Sequence, residues 1–216
     1  MISFENTEVV GFVPALRGMR NPMNSWDNSD TTCFWACGVP YDVKIGEKDL
    51  YLADALNKAG PTHSKYRRMI NVYVDIIAPL YWWKQMDTYK VGTVADSCST
   101  MHKIAAKEFE PIDFSHEKLT AQNYAVLSTI IAALNAAREE FLNASEPVKN
   151  GAWWQMVQLL PSSYNQRRTL MLNYEVLANI YNTRRTHKLT EWHDFCKWIR
   201  TLPYSELIVG GQNEQT

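Results

Sequence analysis

Between Ile70 and Ile76 the apolar residues Ile70, Val72, Val74 and Ile76 alternate with Asn71, Tyr73 and Asp75. A period of two carried by β-branched side chains predicts a strand with one buried face, and Pro79 ends it. The opening segment, ISFENTEVVGFV, is rich enough in β-formers for a first strand. Met19 to Thr32 is loop chemistry, Asn, Ser, Asp and Pro, and reads either as a solvated turn region or as a binding loop. Asp49 to Ala59 places Leu50, Ala53 and Leu56 at helical spacing, with Gly60-Pro61 as the stop. Ser115 to Asn143 predicts a long helix, with Ser115 as N-cap, an apolar stripe of Leu127, Ile130, Ile131 and Leu134, and a bend near Gln122-Asn123. Ala152 to Leu160 is compatible with a short helix or a strand, closed by Pro161. Gln166 to Arg185 and Thr190 to Leu202 predict two further helices. With no repeat, low-complexity segment or long linker, a single domain over residues 1–216 is expected.

Composition adds an aromatic core. Eight Trp, eleven Tyr and seven Phe are enough for many rings to be buried with a polar tip still satisfied. The formal charge of −1 offers no broad surface for nucleic acid or membrane. No apolar run approaches the roughly 20 residues of a membrane span, and MISFENTEVV lacks the basic start and apolar stretch of a secretory signal. A cytoplasmic protein is therefore expected. Cys33, Cys37, Cys98 and Cys196 are too few and scattered for a disulfide framework and lack a second pair at zinc spacing. His187 and His193, near Glu191 and Asp194, are read as the polar side of a helix rather than as a metal site.

The candidate chemistry lies in two stretches. From Ala78 to Met101 an aromatic anchor, Trp82-Trp83, gives way to a polar run from Gln85 to Ser99, which either lines a cleft or leaves a buried helix as a surface loop. Near the C-terminus Asn173 and Arg184 are eleven positions apart. On one continuous helix that is about 20° in azimuth and about 16 Å along the axis, with Leu177 and Ile180 between. Such a face suits an elongated ligand with an apolar middle and anionic or hydrogen-bonding ends, or else it is a core face whose Asn173 caps a neighbour and whose Arg184 reaches outward. The pairs Arg167-Arg168 and Arg184-Arg185 have the residue type preferred for bidentate phosphate recognition, and a solvated charged face accounts for them equally well.

From His63 to Arg184 these residues, in order, resemble the flavin-dependent thymidylate synthases. In that family a Gly-His element precedes a strand ending in Ala-Pro; here Gly60 and His63 precede Ala78-Pro79. Leu80-Tyr81 and then Lys84-Gln85 match the apolar-aromatic pair, basic residue and Gln that follow. At the positions of the family signature, Arg-His-Arg-x-x-Ser-x-Asn-Glu-x-Ser-x-Arg, stand Thr88, Tyr89, Lys90, Thr93, Ala95, Asp96, Cys98 and Thr100. The third block is the best kept: Leu160-Pro161 followed by Asn173, Asn179 and Arg184 at matching spacing.

The resemblance implies an α+β fold, a mixed sheet flanked by helices with a long central helical segment. It implies an enzyme modifying C5 of a dUMP-type pyrimidine nucleotide, with FAD as cofactor, folate and NADPH as co-substrates, and a homotetrameric assembly. Carried over residue by residue, His63, Tyr89, Lys90, Asn173 and Asn179 would hold flavin, and Gln85, Asp96, Ser97, Cys98, Ser99 and Arg184 the nucleotide. Arg184 would also be catalytic, stabilising negative charge on the pyrimidine as C5 becomes nucleophilic. The departures concern charge. Thr88, Tyr89 and Lys90 replace Arg-His-Arg, Val157 replaces a phosphate-binding Arg, and Thr100 replaces the closing Arg. Lys65, Arg67, Arg68, Arg167 and Arg168 are candidates to restore it. The same losses leave open a catalytically degenerate homologue that binds or sequesters a nucleotide, or binds a protein partner.

Overall fold

A computed structural model describes residues 1–210. In chain order it contains β1 (Ser3–Val10), α1 (Phe12–Arg20), β2 (Thr32–Ala36), β3 (Val39–Lys44), α2 (Glu47–Lys58), β4 (Asn71–Pro79), α3 (Leu80–Met86), β5 (Val94–Ser97), α4 (Ala121–Asn143), α5 (Val148–Leu159), β6 (Asn165–Asn173), α6 (Tyr174–Arg184), α7 (Thr190–Thr201) and α8 (Glu206–Val209). One sheet has four strands in the order β1-β4-β6-β5, and β2 pairs antiparallel with β3 in a separate hairpin. The fold class is α+β. No helix among the described residues is long and apolar enough to cross a membrane.

The chain divides into two compact units, one formed by Met1–Phe4, Asp75–Thr88 and Ala95–Thr169, the other by Glu5–Val74, Tyr89–Val94 and Leu170–Thr216. In the first, α4 and α5 bury Leu127, Ile131, Leu134 and Met156 against Phe109 and Phe114. The predicted cap at Ser115 is corrected. The helix starts six residues later, where the Thr120 side chain accepts from the Asn123 N–H, while the Ser115 hydroxyl bonds the Asn165 amide oxygen. Gln122-Asn123 is thus the first turn and no bend. Trp82 and Trp83 are fully buried and meet edge to face at 4.8 Å, and the Trp83 indole donates to the Gln166 carbonyl at 2.9 Å. The aromatic anchor is core.

In the second unit α1, α2, α6 and α7 enclose Phe12, Ala53, Tyr174, Leu177, Phe195 and Ile199. Gly11, with φ +100°, opens α1, and a Cβ there would stand 2.1 Å from the Met69 carbonyl oxygen, so glycine alone permits this approach. The loop reading of Met19 to Thr32 is revised in part. Met19 and Arg20 belong to α1, and the following turns are fastened by Asp49, which takes Arg20 Nε at 2.6 Å, Ser29 Oγ at 2.6 Å and Thr31 Oγ1 at 2.5 Å. These polar side chains satisfy a buried carboxylate.

A larger correction concerns Gln166 to Arg185, which is not one helix. Asn165–Asn173 is strand β6, burying Gln166, Leu170 and Leu172 at even positions, and the helix begins only at Tyr174. Arg167 and Arg168 lie on that strand and are held by acids. Arg167 Nη2 is 2.7 Å from Asp75 Oδ2, and Arg168 Nη1 is 2.7 Å from Asp87 Oδ1, its guanidinium 4.4 Å from the Trp83 ring centre. Both arginines therefore stand on a strand beside acids, not one helix length before Arg184 on a common helix.

Candidate functional site

The site is built where β6 turns into α6. Asn173 leaves the strand in extended backbone (φ −125°, ψ 166°) and caps the helix with its own side chain, Oδ1 accepting from the Val176 N–H at 3.0 Å. That cap is worth about 1 kcal/mol and fixes the first turn. From there the helix has two sides. Leu177, Ile180 and Tyr181 are buried in the core, so the stripe joining Asn173 to Arg184 is a core face. Glu175, Val176, Asn179 and Asn182, at spacings of three and four, line the opposite side.

That opposite side forms one wall of a hollow of about 540 Å³. The segment before β4 supplies Arg67 and Arg68, and the segment before β5 supplies Val91 and Gly92. All of these belong to the second unit. Gly92 adopts φ +74°, and a Cβ on it would fall 2.7 Å from Asn173 Nδ2 and 3.2 Å from Val176 Cγ2. The absence of a side chain there lets backbone press against the capping amide.

The electrostatics are uneven. Arg67 is spent on structure: its Nε and Nη2 reach Glu175 Oε2 at 2.8 and 2.7 Å, Nη2 also donates to Ser64 Oγ at 3.1 Å, and Nη1 donates to the Leu207 carbonyl at 3.3 Å. Arg68 is exposed, with no hydrogen bond or ion pair among the described residues. Among the described residues the hollow therefore carries one positive charge in excess, and the Asn179 and Asn182 amides face it without a side-chain partner.

Arg184 occupies a different environment in the same unit. Its Nε donates to the Tyr89 hydroxyl at 2.8 Å, and its guanidinium carbon lies 5.5 Å from the Tyr89 ring centre and 4.9 Å from that of Trp192. The Tyr89 hydroxyl also bonds Thr183 Oγ1 at 3.0 Å. Nearby, burial first and then the Arg184 charge hold the His187 imidazole below its usual pKa, so it is neutral at pH 7.

Of the flavin residues expected from sequence, Asn173 and Asn179 line the hollow, Tyr89 holds Arg184, Lys90 is solvent-exposed, and His63 is exposed in the turn after Gly60. The expected nucleotide residues other than Arg184 belong to the first unit. Gln85 is half-buried at the end of α3, and Asp96, Ser97 and Cys98 are exposed on or just after β5. Cys98 is fixed through its backbone, donating to the Arg167 carbonyl at 3.0 Å and accepting from Gln166 Nε2 at 2.8 Å. Ser99 Oγ caps a turn by accepting from the His102 N–H at 3.0 Å. Sequence reasoning passed over Asn182, Gly92 and Trp192. Asn182 was findable at i+3 from Asn179; Gly92 and Trp192 carry no local signal.

No model of a known protein family and no curated protein matches the sequence. Solved structures do match by shape. A crystal structure of thymidylate synthase X (ThyX) from Helicobacter pylori with FAD and dUMP superposes with a TM-score of 0.66 at 18% identity, covering 96% of each chain. A second, of the flavin-dependent thymidylate synthase ThyX from Helicobacter pylori complexed with FAD and dUMP, gives 0.64 at 19% identity, covering 94% of this chain and 96% of that one. Superposed over nearly its whole length, the chain has the fold of the flavin-dependent thymidylate synthases.

Proposed function

We propose that this chain is a divergent flavin-dependent enzyme acting at C5 of a dUMP-type pyrimidine nucleotide, with FAD bound in the hollow along α6 and a folate as one-carbon donor. The observation that carries the reading is the pair of asparagines kept at the family's spacing, Asn173 at the cap and Asn179 on the outward face, lining one hollow. The residues present fit a flavin. A volume of about 540 Å³ falls within the roughly 300–1,000 Å³ of small-molecule sites, the Gly92 backbone leaves the wall open where a Cβ would close it, and two unpartnered amides can both donate and accept.

Asn173, Asn179 and Asn182 would hold the cofactor's polar edges, Asn173 through its Nδ2 because its oxygen is committed to the cap. Bound there in reduced form, flavin supplies hydride; the protein contributes position and charge. Arg184 is the residue suited to bear on the pyrimidine carbonyl, its guanidinium direction set by the Tyr89 hydroxyl and its plane by Trp192. Lys90 and His63 are the further residues proposed for the flavin, and Gln85, Asp96, Ser97, Cys98 and Ser99 those proposed for the nucleotide; a homotetramer is the proposed assembly. NADPH is the proposed reductant.

A second reading, a nucleotide binder without turnover, is favoured by one observation. Arg184 is already engaged by Tyr89, which stands where the family has the His of its signature. The absorption spectrum of purified protein, followed by calorimetric titration with FAD and with dUMP, tests both readings. Flavin bands and FAD binding support the enzyme, dUMP binding without FAD supports the second reading, and binding of neither overturns both. Light scattering on the eluting protein gives the subunit count.

A further inference from the structure

Two arginines line this hollow, and among the described residues only one of them is paired with an acid. We infer that Arg68 is the hollow's anion anchor, taking the phosphate oxygens of a phosphate ester; this rests on the reading of the hollow as a flavin and nucleotide site. Three observations carry the assignment. Every donor nitrogen of Arg67 has a partner and its charge is balanced by Glu175 at 2.7 Å, so Arg67 offers a ligand no net charge and at most one Nη1 hydrogen. Among the described residues Glu175 is the one acid on the lining, and it is spent in that pair. Arg68, the next residue, lines the same hollow, is exposed, and has no hydrogen bond or ion pair among the described residues.

A guanidinium presents its donors in a planar fork that matches two oxygens of one phosphoryl group, where a lysine would offer a point charge. The free Asn179 and Asn182 amides on the facing helix add neutral donors to the same space. The division of labour between adjacent arginines is therefore fixed. Arg67 ties the turn before β4 to α6, and Arg68 reads the ligand's charge. The phosphate belongs either to the dinucleotide cofactor or to the mononucleotide substrate, and the test separates them.

Wild-type protein and the variants Arg68→Gln and Arg68→Lys are titrated with inorganic pyrophosphate, with FAD and riboflavin, and with dUMP and deoxyuridine. Arg68→Gln is expected to lose pyrophosphate binding and to weaken one phosphorylated ligand about ten- to a hundredfold, leaving its unphosphorylated counterpart unchanged. Arg68→Lys recovers part of the loss. A fall confined to FAD assigns the cofactor's phosphates, and a fall confined to dUMP assigns the substrate's. Unchanged phosphorylated ligands in Arg68→Gln, or an equal fall in riboflavin or deoxyuridine, overturn the inference while the proposed function stands. Should wild-type protein bind neither FAD nor dUMP, the proposed function fails and pyrophosphate alone decides: Arg68-dependent binding supports the anchor, and no binding overturns it. Because Arg68 has no partner to lose, circular dichroism and Tm of both variants should match wild type.

Discussion

Arg184 Nε donates to the Tyr89 hydroxyl across 2.8 Å while its guanidinium lies against Trp192 at 4.9 Å, so one cation is aimed by a phenol and flattened by an indole. Tyr89 stands ninety-five residues earlier in the chain. Removing the hydroxyl alone, in Tyr89→Phe, keeps the ring and deletes the bonds to Arg184 and Thr183. Urea unfolding should show a loss of about 0.5–1.5 kcal/mol, the net worth of a partly exposed hydrogen bond. Trp192→Ala empties a fully buried site and should cost about 3–5 kcal/mol. Equal losses in the two variants would contradict this assignment of roles.

Asp49 contributes to the acid limit of stability. Burial pushes its carboxyl up, but hydrogen bonds from Ser29, Thr31 and Arg20 together with the Arg20 charge outweigh it, leaving the pKa below the ordinary value. Because the folded pKa is the lower one, the stabilisation is complete above the unfolded value of about 4 and is lost as pH falls through the folded pKa. Urea midpoints measured from pH 7 downward should decline below about pH 4. Asp49→Ala should cost about 3–5 kcal/mol at neutral pH, since it leaves Arg20 buried without its counter-charge. A pH profile with the same acid slope in Asp49→Ala would place the acid sensitivity elsewhere.

Gly92→Ala is a test of the hollow's wall. The added methyl meets Asn173 Nδ2 at 2.7 Å in a backbone conformation, φ +74°, that costs an L-residue roughly 1–2 kcal/mol. Tm should fall, and FAD binding should weaken as the wall moves. Wild-type values for both would mean that Gly92 does not shape the site.

Asn179→Ala separates binding from folding. Its amide is exposed and has no side-chain partner, so Tm should stay within error. FAD affinity should fall about three- to tenfold, the worth of one neutral hydrogen bond. A drop in Tm with unchanged FAD affinity would assign this residue to the fold instead.

Much was legible in the chain itself. The strand through Val72, Val74 and Ile76 declared itself because one buried face and β-branched side chains impose a period of two, and the helix at Thr190–Thr201 because Trp192, Phe195, Trp198 and Ile199 recur at helical spacing. The Asn173, Asn179, Arg184 spacing led to the right fold although overall identity to the structural neighbours is only 18–19%. The first part of Gln166 to Arg185 reads as helix in the sequence, and is strand in the structure, for a physical reason. Its alternation is carried by Gln166, Leu170 and Leu172, and Arg167 and Arg168 hide it because their charges are neutralised by Asp75 and Asp87, distant in the chain.

Local pattern thus set the elements, since backbone periodicity and capping act over a few residues. It could not say which cations were spent. That Arg67 is cancelled by Glu175, 108 positions away, while its neighbour Arg68 keeps its charge, and that Arg184 turns toward Tyr89 while Asn179 turns to the hollow, was decided only by tertiary structure. Charge pairing depends on distance in space, and sequence separation carries no information about it.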